Sequence, residues 1–374
     1  MTERPAATVA AGAPASAAKE RTFPCHKCGA DLVYAPGQST LQCPYCGHSE
    51  KVPQTAEEIK EYSFNDYLRK PRSHGYGVIS GGRQDAKCQS CGAETQVDAN
   101  LRATRCAFCA GPLIFEDKPG ASDVITPEAV VPFKVARNDA EGAFRTWLRS
   151  LWFAPNALKT ESQARQLQGI YRPFWTYDAY TVSHWTGERG TYYYVTESYT
   201  TTENGKTVTK TRQVRKTRWT WVSGTYNEFF DDVLISGGKN KDRDTTYSLG
   251  GLQPYASEFL SGFSAERYVV TCEEGWTQAK GVIKDAIHRG VERQIGGDEQ
   301  RVHSIDTAYS GVKYKHILLP LWISCYNYQS KNYCFQVNGQ TGEVRGDRPY
   351  SFWKIAALVV SILIIIAIIV RLAN

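Results

Sequence analysis

Four C-x-x-C pairs, Cys25 with Cys28, Cys43 with Cys46, Cys88 with Cys91 and Cys106 with Cys109, crowd the first third of the chain. Each cysteine of the second set lies 63 positions after its counterpart in the first. A C-x-x-C turn presents two thiolates from one knuckle, and zinc(II) prefers four soft ligands in a tetrahedron. Two knuckles with 14 residues between them, as here between Cys28 and Cys43, therefore complete one closed site. The spacing predicts two tandem zinc ribbons, over 22–52 and 83–117, each with its own structural Zn2+. Turn-forming residues sit where the knuckles need them: Gly29, Pro44 with Gly47, and Gly92. Four-cysteine sites also suit iron-sulfur clusters. A thioredoxin-like redox pair needs one C-x-x-C in a βαβ setting, and disulfides need an oxidising compartment. With all four positions filled by thiolates, such a site stabilises a fold and leaves no place for a substrate.

At the other end, residues 355–370 carry no charge and one hydroxyl, Ser361. As a helix this stretch spans about 24 Å, close to a hydrocarbon core of about 30 Å once its flanks are counted. Lys354 and Arg371 are placed to snorkel, and Tyr350, Phe352 and Trp353 to form an aromatic belt. We expect a transmembrane anchor over 350–374. Arg345, Arg348 and Lys354 precede it while Arg371 alone follows, which favours the N-terminal part in the cytoplasm. Paired thiolates meant for metal favour the same reducing side. Residues 1–21, rich in Ala and Pro without a Leu-rich block, read as a disordered tail and not as an export signal.

Between the ribbons, over 53–82, Thr55 to Glu58 reads as a capping box for a helix carrying Ile59, Tyr62 and Leu68 and stopping before Pro71, followed by a Gly-rich linker that would let the ribbons move independently. From there the pattern is α+β in two units, 118–260 and 261–349, with signs of an internal duplication. In the first, a strand over 130–135 precedes Asn138 and Glu141 as a helix cap. Ala140, Phe144, Leu148 and Leu151 then recur at helical spacing, and Pro173-Phe-Trp175 opens a strand. In the second, a strand over 268–270 precedes a Thr271/Glu274 capping box. A helix follows with Trp276, Ala279, Ile283, Ile287 and Val291 on one face, and Pro320-Leu-Trp322 opens the matching strand.

Residues 191–202 and 207–221 read as a long hairpin about an Asn204-Gly205 turn. It carries Lys206, Lys210, Arg212, Arg215, Lys216 and Arg218, a candidate phosphate-binding patch for lipid or nucleic acid. The bland reading is a charged strand that resists edge pairing. Asp231-Asp232 is a candidate cation site or, more simply, a solvated turn. A second hairpin over 323–337 sets Cys325 opposite Cys334 if it reverses at Gln329-Ser330; these two and Cys272 read as small buried hydrophobes, with the thiols free.

No H-E-x-x-H occurs among the seven histidines, no serine sits in G-x-S-x-G, and no G-x-x-x-x-G-K-[ST] occurs. We therefore expect no enzyme. The ribbons, residues 145–156 (RTWLRSLWFAPN), 295–301 (IGGDEQR) and 337–343 (VNGQTGE), ahead of an aromatic membrane anchor, resemble a bacterial family of zinc-ribbon membrane proteins. Its members are often labelled TFIIB-type zinc ribbon or primosomal protein N-prime, superfamily II helicase. The helicase label fails here, because phosphoryl transfer needs the phosphate-cradling loop this chain lacks. The resemblance implies a membrane-stress module, with a phage-shock-protein-A-type remodeller similar to ESCRT-III and a flotillin-like SPFH-domain protein as partners. The reading is then a multidomain, non-enzymatic scaffold that recruits protein partners to the cytoplasmic face of the bacterial inner membrane. The alternative is a membrane-tethered nucleic-acid binder, for which a net charge of +6 from 44 basic and 38 acidic side chains is slender support.

Overall fold

Three antiparallel strands of 30 residues or more organise the body. The computed structural model describes residues 23–53, 58–69, 83–89, 92–98, 106, 113–116, 125–153, 167–203, 206–238, 247–266, 268–328, 331–347 and 350–373. The N-terminal tail, the Thr55 to Glu57 part of the expected capping box, the Gly-rich linker, Cys91 and Cys109 lie outside them.

Ribbon 1 is a three-stranded antiparallel sheet of β1 (Val33–Ala35), β2 (Thr40–Gln42) and β3 (Ser49–Lys51). It does not stand apart. Tyr34 N donates to Ser261 O at 3.1 Å and Gly37 N to Phe133 O at 3.0 Å. Its buried Leu32, Tyr34 and Leu41 share one apolar core with Phe133, Phe144 and Phe263 of the body. The expectation of independently moving ribbons fails here, because a unit this small hides its apolar face only against a larger one.

After ribbon 1 come β4 (Tyr62–Ser63) and α1 (Phe64–Arg69). Tyr62 is thus on a strand, paired with Tyr314, and not on the expected helix. The N-cap oxygen is Ser63 Oγ, which accepts from Asp66 N at 3.3 Å. The strands β5 (Arg83–Cys88), β6 (Glu94–Asp98) and β7 (Leu113–Glu116) join the main sheet, so the second cysteine set is also fused to the body.

The α+β body continues with β8 (Ala129–Val130), α2 (Arg137–Ser150), β9 (Gln168–Glu203), β10 (Lys206–Ser236), β11 (Gln253–Pro254), β12 (Ser264–Glu266), α3 (Cys272–Ile295), β13 (Glu299–Tyr328), β14 (Lys331–Asn338) and β15 (Val344–Gly346). β9 lies between β10 and β13, antiparallel to both. Ala140, Phe144 and Leu148 of α2 are buried as their spacing predicts, but Asn138 is inside the helix and Ala136 takes the cap position without a side-chain bond. The Thr271/Glu274 capping box of α3 is present, and its five expected apolar residues are buried. The strand expected over 268–270 forms instead at β12.

The two halves make the same set of hydrogen bonds, in exchange. Trp175 Nε1 donates to Val270 O at 2.8 Å, and Trp322 Nε1 to Val135 O at 3.0 Å. Gly237 N donates to Pro173 O at 2.8 Å and Gly339 N to Pro320 O at 3.0 Å. Val269 and Val270 donate to Gly237 O, as Lys134 and Val135 do to Gly339 O. Each tryptophan thus grips the carbonyl just ahead of the other half's helix; α3 packs mainly on β9 and β10 of the other half and also on β13 of its own, and α2 packs on β14 and β15 of the other half.

Last comes α4 (Phe352–Ala373). Its 21 residues from Phe352 to Leu372 are long and apolar enough to cross a membrane, at about 32 Å of helix. No part of that stretch is buried against the rest of the chain. Its start is tied to the body by Ser351 N to Phe153 O at 2.7 Å and Lys354 Nζ to Trp152 O at 3.2 Å.

Candidate metal centre

The knuckles repeat one backbone turn. Cys25 N donates to Ala30 O and Gly29 N to Cys25 O; Cys43 N donates to His48 O and Gly47 N to Cys43 O. Gly29 and Gly47 hold φ of 74° and 71°, a left-handed backbone that glycine adopts without a Cβ penalty. These turns bring four sulfurs together. Cys25 Sγ lies 3.6 Å from Cys46 Sγ, Cys28 Sγ lies 3.5 Å from Cys43 Sγ, and all four lie within 4.8 Å of one another. With Zn–S bonds of about 2.3 Å, the edge of a tetrahedron is about 3.8 Å. The set fits a zinc ion, and its four positions would all be filled.

Without metal the thiols share their protons. The amide N–H of Cys46 leads in pulling the Cys43 thiol down to about 7. Cys28 accepts the N–H of Ala30, which lowers it, yet its hydrogen bonds with the Cys43 and Cys46 thiols prevail and push it up to about 12. Metal binding must displace these protons, so affinity rises with pH. His26 and His48 turn to Glu50, at 3.6 Å and 3.3 Å, and stay outside the sulfur cluster.

The second set is described in part. Cys88 repeats the turn, with Cys88 N to Ala93 O and Gly92 N to Cys88 O both at 2.9 Å and Gly92 at φ 68°. Cys88 and Cys106 are buried in one cluster with Ile170, Leu321 and Ile323. Their partners Cys91 and Cys109 lie outside the described residues.

Asp231 and Asp232 do not form a solvated turn. They occupy a β-bulge between Phe230 and Val233, where Asp232 has φ 53° and its N–H donates to Asp178 Oδ1 at 2.8 Å. Lys315, itself buried, places Nζ 2.6 Å from Asp232 and 3.0 Å from Glu61, which also meets Lys313 at 3.2 Å. Burial pushes Asp178 up to about 6, against the pull of the Asp232 N–H. Burial also raises Glu61, but the two lysines outweigh it and hold that carboxyl low. The Lys315 ammonium thus bridges Asp232 and Glu61, while one carboxylate oxygen from each of Asp178, Asp231 and Asp232 lies within 4.8 Å of the others, close enough to hold a cation as the sequence suggested. Sequence spacing pointed only to Asp231-Asp232, because the other members are scattered from Glu61 to Lys315. A second buried pair, Arg172 with Glu266 at 3.1 Å, was equally invisible.

One further expectation changes. Cys334 is disulfide-bonded and not a free thiol, and the residue opposite it in the β13–β14 register is Cys325. The register sets their Cα atoms directly across the ladder, as the hairpin pattern required. Cys334 is itself buried. Cys272 is free and buried, and burial raises its pKa to about 12, so it behaves as the small hydrophobe expected.

The six basic hairpin residues lie on one strand, β10, in unbroken register with β9 from Lys206 opposite Glu203 to Phe230 opposite Ala179. The ladder is far longer than the 191–221 expected. Arg212 and Lys216 both meet Glu197, at 3.5 Å and 3.0 Å, and Arg212, Arg215 and Arg218 lie over Tyr199, Tyr192 and Tyr193.

No protein-family model matches the chain, and no solved structure matches it. It is similar to a Bacillus subtilis (strain 168) protein described as "Uncharacterized protein YdjG", at 26% identity over 347 residues, covering 90% of this chain and 92% of that protein.

Proposed function

We propose that the chain is a membrane-held adaptor, without catalysis of its own, whose zinc-stiffened ribbons present a recognition surface to protein partners on the cytoplasmic face of the bacterial inner membrane. The observation that carries this reading is the continuity between the two ends: Cys25 and Cys43 of ribbon 1 are packed into the same core as α2, and Trp152 and Phe153, just past α2, are bonded to Lys354 and Ser351 at the start of α4. A closed four-thiolate site stiffens a unit that is too small to hold itself. A terminal apolar helix confines it to a surface, and confinement raises the local concentration of what it meets. The second cysteine set, with the same turn at Cys88, is read as a second zinc site of the same kind. The matched hydrogen bonds of the two α+β halves support an internal duplication. The resemblance to zinc-ribbon membrane proteins suggests phage-shock-protein-A-type and SPFH-domain proteins as the first partners to test.

Affinity capture from detergent-solubilised membranes tests the proposal. Defined protein partners are expected with the wild-type chain and are expected to be lost with Cys43→Ser/Cys46→Ser. Capture of no protein above background, or capture unaffected by that pair, would contradict it.

A further inference from the structure

The hairpin that extends from the body has two chemically different faces. Because β9 and β10 pair without a bulge from Ala179 and Phe230 to the tip, side-chain alternation can be followed along the whole ribbon. Trp175, Tyr177 and Trp185 of β9 turn toward α3 and the segment leading into it. On that same side, beyond the C-terminal end of α3, the register places Lys206, Lys210, Arg212, Lys216 and Arg218. The opposite side carries Thr207, Thr209, Thr211, Gln213 and Thr217 of β10, with Arg215 its one cation on that strand over the same span. The contacts agree with this division: Arg212 lies over Tyr199 and Arg218 over Tyr193 on the first side, Arg215 over Tyr192 on the second.

This stripe also stands far from the anchor. β15 pairs with β14 at the end of the sheet opposite the hairpin tip and runs away from that tip before the chain enters α4. Along β9 from Gln168, the stripe begins about 75 Å away, at Thr191, and ends about 115 Å away, at Glu203.

We infer that the basic face of this ribbon docks on the backbone of double-stranded nucleic acid, an inference independent of the protein partners proposed above. Five cations lie in line over about 40 Å, a little more than one turn of duplex. A duplex carries a negative charge for about every 1.7 Å of its axis, a linear density that an acidic protein patch does not sustain over that length. A two-stranded ribbon twists more strongly than a broad sheet, so the stripe winds and cannot lay all its cations on a flat bilayer, whereas a helical groove winds with it and a major groove admits such a ribbon. The tryptophans that a lipid surface would take up, Trp219 and Trp221, are on the other side, held by Arg301 and His303.

Fluorescence anisotropy of the full-length chain in nanodiscs of neutral lipid, with a labelled 24-base-pair DNA duplex as probe, tests this. The logarithm of the binding constant is expected to fall with the logarithm of salt at a slope of about −4, from five phosphate contacts at about 0.9 each, less the share that Glu197 takes. Lys210→Gln/Arg212→Gln/Lys216→Gln is expected to flatten the slope by between two and three, while Arg215→Gln changes affinity by less than about threefold. Glu197→Gln, which releases Arg212 and Lys216, is expected to tighten binding, a gain that misfolding cannot imitate. Absence of salt-dependent duplex binding, equal losses from the two faces, weakening by Glu197→Gln, or competition by phosphatidylglycerol vesicles or polyglutamate at lower charge concentration than by duplex would each overturn the inference.

Discussion

Asp178 shows how a single buried carboxylate makes the fold respond to pH. Its pKa in the folded chain is near 6, above its ordinary 3.8, because burial opposes its charge. Between those values the native state holds a proton that the unfolded chain has released, so stability falls as pH rises through that window. Glu61 has the opposite sign: the lysines hold it low, and what it contributes is lost as pH drops through its folded value. Asp178→Asn keeps an acceptor for the Asp232 N–H and removes the titration. The variant is expected to gain more thermal stability relative to wild type at pH 7 than at pH 4.5, by on the order of 2 kcal/mol, read from calorimetric midpoints. An equal gain at both values would mean that Asp178 is not desolvated. The sequence marked only the Asp231-Asp232 pair of this network, since the other neighbours of Asp178, Glu61 just ahead of β4 and Lys315 of β13, meet it only after the sheet forms. The metal-type cysteines were legible for the reverse reason. Their partners lie three residues and one ribbon away, within the reach of local turns.

Element by element, legibility followed the range of the interaction that decides each one. The α3 cap and its apolar stripe depend on residues three and four apart, and both are present as spaced. α1 starts later than expected because Tyr62 is taken by a long-range strand pair with Tyr314, a contact no local pattern encodes. Likewise β9 and β10 extend well past the patterned hairpin, because α3 supplies a face for residues that would otherwise look like a charged loop. Gly275 shows how closely that helix lies on the sheet: a Cβ there would collide with Tyr177 Oη, which is fixed by its 2.6 Å bond to Cys272 O. Alanine is the better helix former by about 1 kcal/mol. Overpacking against a fixed ring costs about 1 to 3 kcal/mol. Gly275→Ala is therefore expected to lower the unfolding midpoint in denaturant, and a raised midpoint would show that α3 stands off the sheet.

At the scale of the molecule, a ribbon, an exchanged pair of α+β halves and a terminal apolar helix form one continuous path from the cysteines to the membrane-type segment. The order of these parts was visible from the cysteine spacing and the uncharged terminal run; their fusion was not, because it depends on core residues such as Phe133, Phe144 and Phe263 that look the same in any apolar cluster. On the proposed reading, a zinc ion held by Cys25, Cys28, Cys43 and Cys46 is what makes the ribbon end of that path rigid. The most direct measurement is zinc by elemental mass spectrometry on the full-length chain, purified in detergent without added metal. The account predicts two zinc ions per chain and, in Cys43→Ser/Cys46→Ser, one; a chain that folds free of metal, or a zinc content untouched by that substitution, would contradict it.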